Sequence, residues 1–498
     1  VTAARLVLPA LRWDPERKFD QEAIDRALVL GVGGFIVFGL NAIQGGRGVP
    51  ARTLRALIID VTARAGRPLL WASDLERGAG QQIAGCTELP PPAALASLGD
   101  PALLRWAGWH TAREAHAVGL NWVLAPVCDL DLEPRNPIVQ TRAFGGESES
   151  VGEAVAEWIA GARAGGVLAC AKHWPGHGRT TADSHDTVPV VESPLQQLRD
   201  QDEAPFRAAI KAGVDSVMTA HVSYPALDPS GRTATFSAPI LARLREVGFN
   251  GLIVTDALLM EGAGAHAPGK LAIAAIEAGC DLLCYPTDLE TTVAALEAAL
   301  QIGPQAERIR ESLARYGRAL AEVQQREHRE VAGSYTPGGI ADALLAAGLR
   351  RAEVRAPIGG VTIDVVDDDQ GGRWPASPNT YLADALREAG LLTDADTDVD
   401  ASAGSQEGIT HPHTHPHPHP VFKVLAAMAE PRASKGRAGF SAENRARLAN
   451  LAPKADLVVL FGHPRLCKEI PGDRPLLVAW HRQQLMQHAV ARWLLERR

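Results

Sequence analysis

The sequence predicts an α/β protein, with an N-terminal (β/α)8 barrel followed by a smaller, sandwich-like C-terminal α/β domain. Three observations carry this. Short apolar runs alternate with amphipathic segments up to about Pro286, titratable side chains stand directly after several runs, and alternation resumes after about Pro357. A short apolar run bounded by turn formers reads as a buried strand; apolar residues at helical spacing read as an amphipathic helix.

In order, the runs are Arg5–Pro9, Gly34–Phe38, Pro68–Ala72, Trp122–Pro126, Val167–Ala171, Ser216–Ala220, Leu252–Thr255 and Asp281–Tyr285. Between them lie the helical segments Gln21–Leu30, Ala102–Val118, Val151–Ala164, Ala204–Ala212 and Ile240–Val247. Eight strand-then-helix units over roughly 290 residues are what such a barrel requires; an open doubly wound sheet is the alternative. The barrel places functional side chains at the carboxyl ends of its strands. Asp74, Asp129, Lys172-His173, His221 and Asp256 follow the third to seventh runs in turn.

Pro304–Val331 is a charge-rich helical pattern that wraps the barrel or leads away from it. The later strands are expected near Val361–Val366, Leu457–Phe461 and Leu476–Trp480, with helices near Tyr381–Ala389 and Gln484–Leu495. The chain therefore divides into a barrel (1–303), a helical linker (304–356) and a reduced α/β domain (357–498). Within the last, residues 394–420 form an acidic, then His/Pro-rich insertion, which reads as a solvated tether because alternating His and Pro suits neither helix nor central strand. Its histidines offer a stray divalent metal a foothold, and no resident metal or cofactor is expected.

A length of 498 residues suggests two or three domains, and 46% hydrophobic with 22% charged residues is ordinary for a globular protein. A formal charge of −8 argues against a nucleic-acid surface. No unbroken apolar stretch approaches the ~20 residues of a membrane helix, and the first residues lack the apolar core of a signal peptide. Cys86, Cys128, Cys170, Cys280, Cys284 and Cys467 lack metal-ligand spacing and read as reduced core residues, which points to the cytoplasm.

The densest chemistry lies in Lys172-His173-Trp174-Pro175-Gly176-His177-Gly178, followed by Thr180 and Asp183-Ser184-His185. Titratable groups crowded at the end of a buried strand are costly as packing and useful as a site. The glycines suggest a mobile loop. This segment resembles the signature of glycoside hydrolase family 3 in its β-N-acetylglucosaminidase branch, K-H-F-P-G-H-G, a Thr, then D-S-H, with Trp174 in place of Phe.

The resemblance implies roles. Asp256, in Thr255-Asp256-Ala257-Leu258-Leu259-Met260, matches the nucleophile that forms a glycosyl-enzyme in retaining hydrolysis. Ala257 replaces the second acid found there, which leaves Asp256 the only candidate. His185 matches the acid/base residue, with Asp183 as its partner. Imidazole suits the task because it titrates near neutrality, and a carboxylate orients it. Asp74, Arg142, Lys172 and His173 match groups that hold sugar hydroxyls. Asp129 and Asp131 are expected to anchor the loop carrying Arg142, and His177 and His221 to brace the site. One departure concerns the third loop. The branch reads D-x-E-G-G-R-V, whereas this chain reads Asp74-Leu75-Glu76-Arg77-Gly78-Ala79-Gly80-Gln81, so the arginine arrives two positions early and Arg77 is a candidate replacement.

These features imply a retaining exo-β-N-acetylglucosaminidase acting on a small carbohydrate from cell-wall fragments or chito-oligosaccharides, without nucleic-acid or membrane partners. Two alternatives stand beside it. One is a phosphorylase using the same glycosyl-enzyme. The other is a catalytically silent sugar-binding protein.

Overall fold

The computed structural model describes residues 2–39, 48–264, 266–302, 304–354, 359–369, 376, 378–393, 421–432 and 434–497. The acidic and His/Pro-rich insertion at 394–420 lies outside the described residues. The chain divides into two compact units, one containing Val1–Tyr335 and Pro431–Ala438, the other Thr336–Gln370, Ala376–Glu430 and Gly439–Arg498.

The first unit is a parallel barrel. Its strands are β1 (Val7–Leu8, continuing as Ala10–Arg12), β2 (Gly34–Phe38), β3 (Leu70–Ser73), β4 (Trp122–Val123), β5 (Leu168–Trp174), β6 (Ser216–Thr219), β7 (Leu252–Val254) and β8 (Leu283–Cys284). Each pairs in parallel with the next from β1 to β7, and Val7–Leu8 pairs with β8. The eight expected runs are these eight strands. Residues on both strand faces are buried, which is why the runs read as continuously apolar.

Two departures bear on function. β5 runs on to Trp174, so that Lys172 and His173 are strand residues, and its register against β6 shifts between Lys172 and Trp174. The Lys172–His173 peptide is cis. Between β7 and β8 the ladder is short, one bridge of Val254 with Leu282 and backbone bonds from Leu282 N to Ile253 O (3.2 Å) and Thr255 N to Leu282 O (3.0 Å). The buried Asp281 carboxylate adds to it. One oxygen accepts from Ile253 N (3.0 Å) and Arg245 Nη2 (2.8 Å); the other accepts from Arg308 Nη2 (2.7 Å), Ser312 Oγ (3.0 Å) and Arg315 Nη1 (3.2 Å). This hub ties the long helix Ala306–Gln325 to the strand that leads into Asp256.

The second unit is a five-stranded sheet ordered β9 (Leu349–Arg350), β13 (Leu476–Val478), β12 (Leu457–Gly462), β11 (Val421–Ala429), β10 (Gly360–Asp367), parallel except for β9. Leu425, Ala427, Val458 and Leu460 pack with Leu448 of the helix Ala442–Leu451 in one core cluster. Val424, Ala426 and Val459 alternate with them and are also buried. The helix Ala306–Gln325 lies within the expected helical pattern Pro304–Val331, and a second helix, Pro337–Gly348, follows it.

Candidate active site

The site is built from side chains at the carboxyl ends of β3 to β7. Two clusters stand out.

The first is a charge network. Lys172 Nζ, on β5, lies 2.7 Å from Asp74 Oδ1 and 2.7 Å from Glu76 Oε1, both just past β3. Arg142 closes a two-toothed pair on Glu76, both bonds 2.8 Å, and its third nitrogen donates to Ile138 O (3.0 Å). Such planar pairs fix direction as well as charge. Burial alone would push the Glu76 carboxyl up, but the Arg142 and Lys172 cations hold it well below the usual range. Burial likewise works against the Lys172 cation, and Asp74 and Glu76 outweigh it, so its pKa is raised. Sequence reasoning had placed Asp74, Arg142 and Lys172 here and missed Glu76, which stands two residues beyond Asp74. Arg77 instead pairs with Glu88, and its N–H donates to Gln81 Oε1 (2.9 Å).

The second cluster is the turn after β5. Asp129, fully buried after β4, accepts from His173 Nδ1 (2.7 Å), His173 N (3.1 Å) and His177 N (2.7 Å). It was expected to anchor the loop of Arg142; it anchors this turn. His177 places Nδ1 2.9 Å from Thr180 Oγ1 and Nε2 3.0 Å from Ser184 Oγ. Burial drives its pKa down to about 4, so near neutrality it is an uncharged brace between two hydroxyls. The structure gives Gly178 a packing role, since a Cβ there would lie 1.7 Å from Leu130 O. Trp174 is buried, donates to Ile240 O (3.1 Å) and meets Phe206 edge-on.

This bracing presents His185. Asp183 Oδ1 accepts from His185 Nδ1 (2.7 Å) and from His185 N (2.9 Å). A carboxylate only accepts, so Nδ1 carries the proton and Nε2 is left to face outward chemistry. Asp183 is 3% exposed, whereas the His185 side chain is 31% exposed. Burial would raise the Asp183 pKa; the His185 ring and the N–H groups of His185 and Ser434 bring it below the usual range.

Asp256 follows β7, partly exposed, with Oδ1 accepting from Ala257 N (2.7 Å). Burial again acts upward, and the imidazoles of His173, His221 and His185, with the Ala257 N–H, hold the carboxyl below its ordinary value. His221 is itself clamped, Nδ1 to Thr235 Oγ1 (2.8 Å) and Nε2 to Ala257 O (3.2 Å). An ionised carboxylate after β7, with a carboxylate-oriented histidine opening to solvent on the turn after β5, offers groups suited to nucleophilic attack and proton transfer. Among the described residues no cluster of His, Cys, Asp and Glu is arranged to hold a metal.

A parallel barrel with a carboxylate after β7, a carboxylate-oriented imidazole and a network of charged donors and acceptors at its strand ends is an arrangement that suits a glycoside hydrolase. The model of the glycosyl hydrolase family 3 N-terminal domain matches residues 6–319, and the chain belongs to that family. It is similar to a β-hexosaminidase of Methylobacillus flagellatus, 36% identical over 280 residues that cover 54% of this chain and 78% of that one. It is also similar to a β-N-acetylglucosaminidase/β-glucosidase of Cellulomonas fimi, 34% identical over 285 residues. That match covers 54% of this chain, and the chain spans about half the length of this relative (50%). Among solved structures, a family 3 β-N-acetylglucosaminidase from Paenibacillus sp. FPU-7 superposes with a TM-score of 0.79 at 24% identity, covering 99% of this chain and 96% of that one. This last likeness is one of fold.

Proposed function

We propose that this chain is a retaining exo-β-N-acetylglucosaminidase that releases terminal β-linked GlcNAc from cell-wall-derived muropeptides or chito-oligosaccharides. The names of the relatives support the sugar. The observation that supports the mechanism is the Asp183–His185 pair, 2.7 Å apart, on the turn after β5, with Asp256 following β7 in the same barrel.

In this reading Asp256 attacks the anomeric carbon while His185 Nε2 gives its proton to the departing oxygen. The bond to the aglycone breaks and a glycosyl-enzyme forms on Asp256. His185, now neutral, takes a proton from water as that water attacks the same carbon and frees Asp256. Asp183 stabilises the charged ring in the first step and fixes its tautomer in both. A neutral base adds no second negative charge beside the glycosyl-enzyme. Lys172, Asp74 and Arg142 meet ring hydroxyls at the far end, with Glu76 setting the two cations. His173 serves the same sugar from β5.

Six free cysteines, four of them buried, support a reducing compartment, which we propose is the cytoplasm. No helix among the described residues is long and apolar enough to cross a membrane.

The test is turnover of an aryl β-GlcNAc glycoside beside the β-glucoside, with and without phosphate, for the wild type and Asp256→Ala. Activity on the GlcNAc substrate that Asp256→Ala abolishes is expected. Phosphate-dependent release of the sugar 1-phosphate would make the chain a phosphorylase. Undiminished turnover by Asp256→Ala would remove Asp256 as nucleophile.

A further inference from the structure

The turn that carries His185 is held from two directions. From the segment following Asp256, Gly262 N donates to Ser184 O (3.0 Å). From a part of the chain some 250 positions away, Ser434 reaches the chain on both sides of His185: its N–H donates to Asp183 Oδ2 (2.7 Å), and its hydroxyl donates to Asp186 Oδ1 (2.7 Å). Ser434 belongs to Pro431–Ala438, which is counted with the barrel unit. Its backbone has φ near 60°, a left-handed conformation seldom taken by a residue with a side chain. Strained backbone of this kind concentrates where a group must be aimed.

The chemistry gives the contact a purpose. Asp183 is almost wholly buried, so each of its oxygens needs a donor. Oδ1 is already taken by the ring and amide of His185, and the Ser434 amide meets Oδ2. With both oxygens occupied from different sides, the carboxylate has no freedom to turn, and the imidazole bonded to it keeps its direction. The hydroxyl bond to Asp186 clasps the far side of the same turn, whose own closure is made by Asp186 N and Thr187 N donating to Asp183 O (3.1 Å each).

We propose that Ser434 is a positioning residue for the Asp183–His185 pair, acting by fixing Asp183 Oδ2 and Asp186 so that His185 faces the leaving oxygen. The proposal rests on the acid/base role given to His185 above. Ser434 acts through Asp183 and Asp186, so its loss should weaken proton transfer and leave sugar recognition intact.

The experiment compares wild type, Ser434→Gly and Ser434→Pro in the full chain. Glycine keeps the N–H and the left-handed backbone but removes the hydroxyl; proline removes the N–H and cannot adopt that φ. Two readouts are taken. Hydrogen exchange of the peptide spanning 181–188 should quicken in Ser434→Pro, and to a lesser degree in Ser434→Gly. Turnover should fall by about tenfold or more for a p-nitrophenyl glycoside, a fraction of the 10²–10⁴ that a full acid/base group supplies. For a 2,4-dinitrophenyl glycoside, whose leaving group needs no proton, the bond-breaking step should stay near the wild-type rate, and azide should restore the second step. KM for the 2,4-dinitrophenyl glycoside should fall with turnover as the glycosyl-enzyme accumulates, so the bond-breaking step is read from the burst or kcat/KM. Equal losses in that step on both leaving groups, or exchange at 181–188 unchanged from wild type, would overturn the proposal.

Should Ser434→Pro fail to fold, Asp186→Ala together with Ser434→Gly decides the matter by exchange at the same peptide; faster exchange supports the clasp and unchanged exchange ends it. The sugar assignment fails separately. If the wild type prefers another sugar, the leaving-group comparison is made on that sugar, and exchange still reads the clasp.

Discussion

Glu76 shows how much of a candidate site can rest on one carboxylate that orders its neighbours. It satisfies Arg142 with two bonds and shares Lys172 with Asp74, and each cation is aimed by it. Removing one partner of a buried pair strands the others' charge, at a cost of about 3–5 kcal/mol. Glu76→Gln should therefore lower the unfolding free energy by about that amount in urea titrations, with KM for the sugar rising in the same variant. The residues around Glu76 show what sequence can reveal. Asp74, Lys172 and Asp256 were legible because a charge directly after an apolar strand is costly unless used. Glu76 was not, because the signal lies in a partner, Arg142, that is 66 positions away. Ser434 left no local trace at all; one serine in a stretch of small and basic residues is common, and only its backbone conformation and the address of its hydrogen bonds set it apart.

At the scale of elements, the turn between β5 and Pro189 behaves as one unit, braced through His177. Its pKa in the folded chain, about 4, lies below the ordinary 6.5. The folded state therefore binds the proton less readily than the unfolded state. The stability contributed by neutral His177 is full above about 6.5 and is lost as pH falls from there through 4, by up to about 3 kcal/mol at 1.36 kcal/mol per unit. The stability gap between wild type and His177→Asn should accordingly shrink between pH 7 and pH 4.5, measured by denaturant unfolding at each pH. Taking the gap cancels other titrations, among them buried Asp202, whose pKa burial raises to about 6 against the pull of Arg179. The barrel strands were readable because they are apolar on both faces. β5 was read too short because its last residues are Lys172, His173 and Trp174, polar groups bought by the site. β11 was missed for another reason: its Leu-Ala-Ala-Met-Ala run favours helix by composition, and pairing with β10 and β12 overrides that preference. The helix Ala442–Leu451 buries Leu448 alone in its described span, too little to show periodicity.

For the whole molecule, the cysteines give a simple check on compactness. Cys128, Cys170, Cys280 and Cys284 are buried, Cys86 and Cys467 partly so, and burial raises the thiol pKa of each, that of Cys86 to about 12. Since the thiolate is the reactive form, a native-state thiol titration at pH 8 should modify at most Cys86 and Cys467, slowly, and denaturation should expose all six. Four fast thiols in the native protein would contradict the packing of both β5 and β8. The same compactness has one place where it is made differently. Between β7 and β8 the backbone bonds from Leu282 N to Ile253 O (3.2 Å) and from Thr255 N to Leu282 O (3.0 Å) are joined by a single carboxylate that gathers three arginines, a serine and a strand amide. A ring closed at a clasp comes undone at the clasp. Because β7 on one side of it leads into Asp256 two residues on, a breach at this clasp would also take away the footing of that carboxylate. On heating, loss of turnover is therefore expected before loss of the helical signal, with the two followed in parallel by activity and circular dichroism.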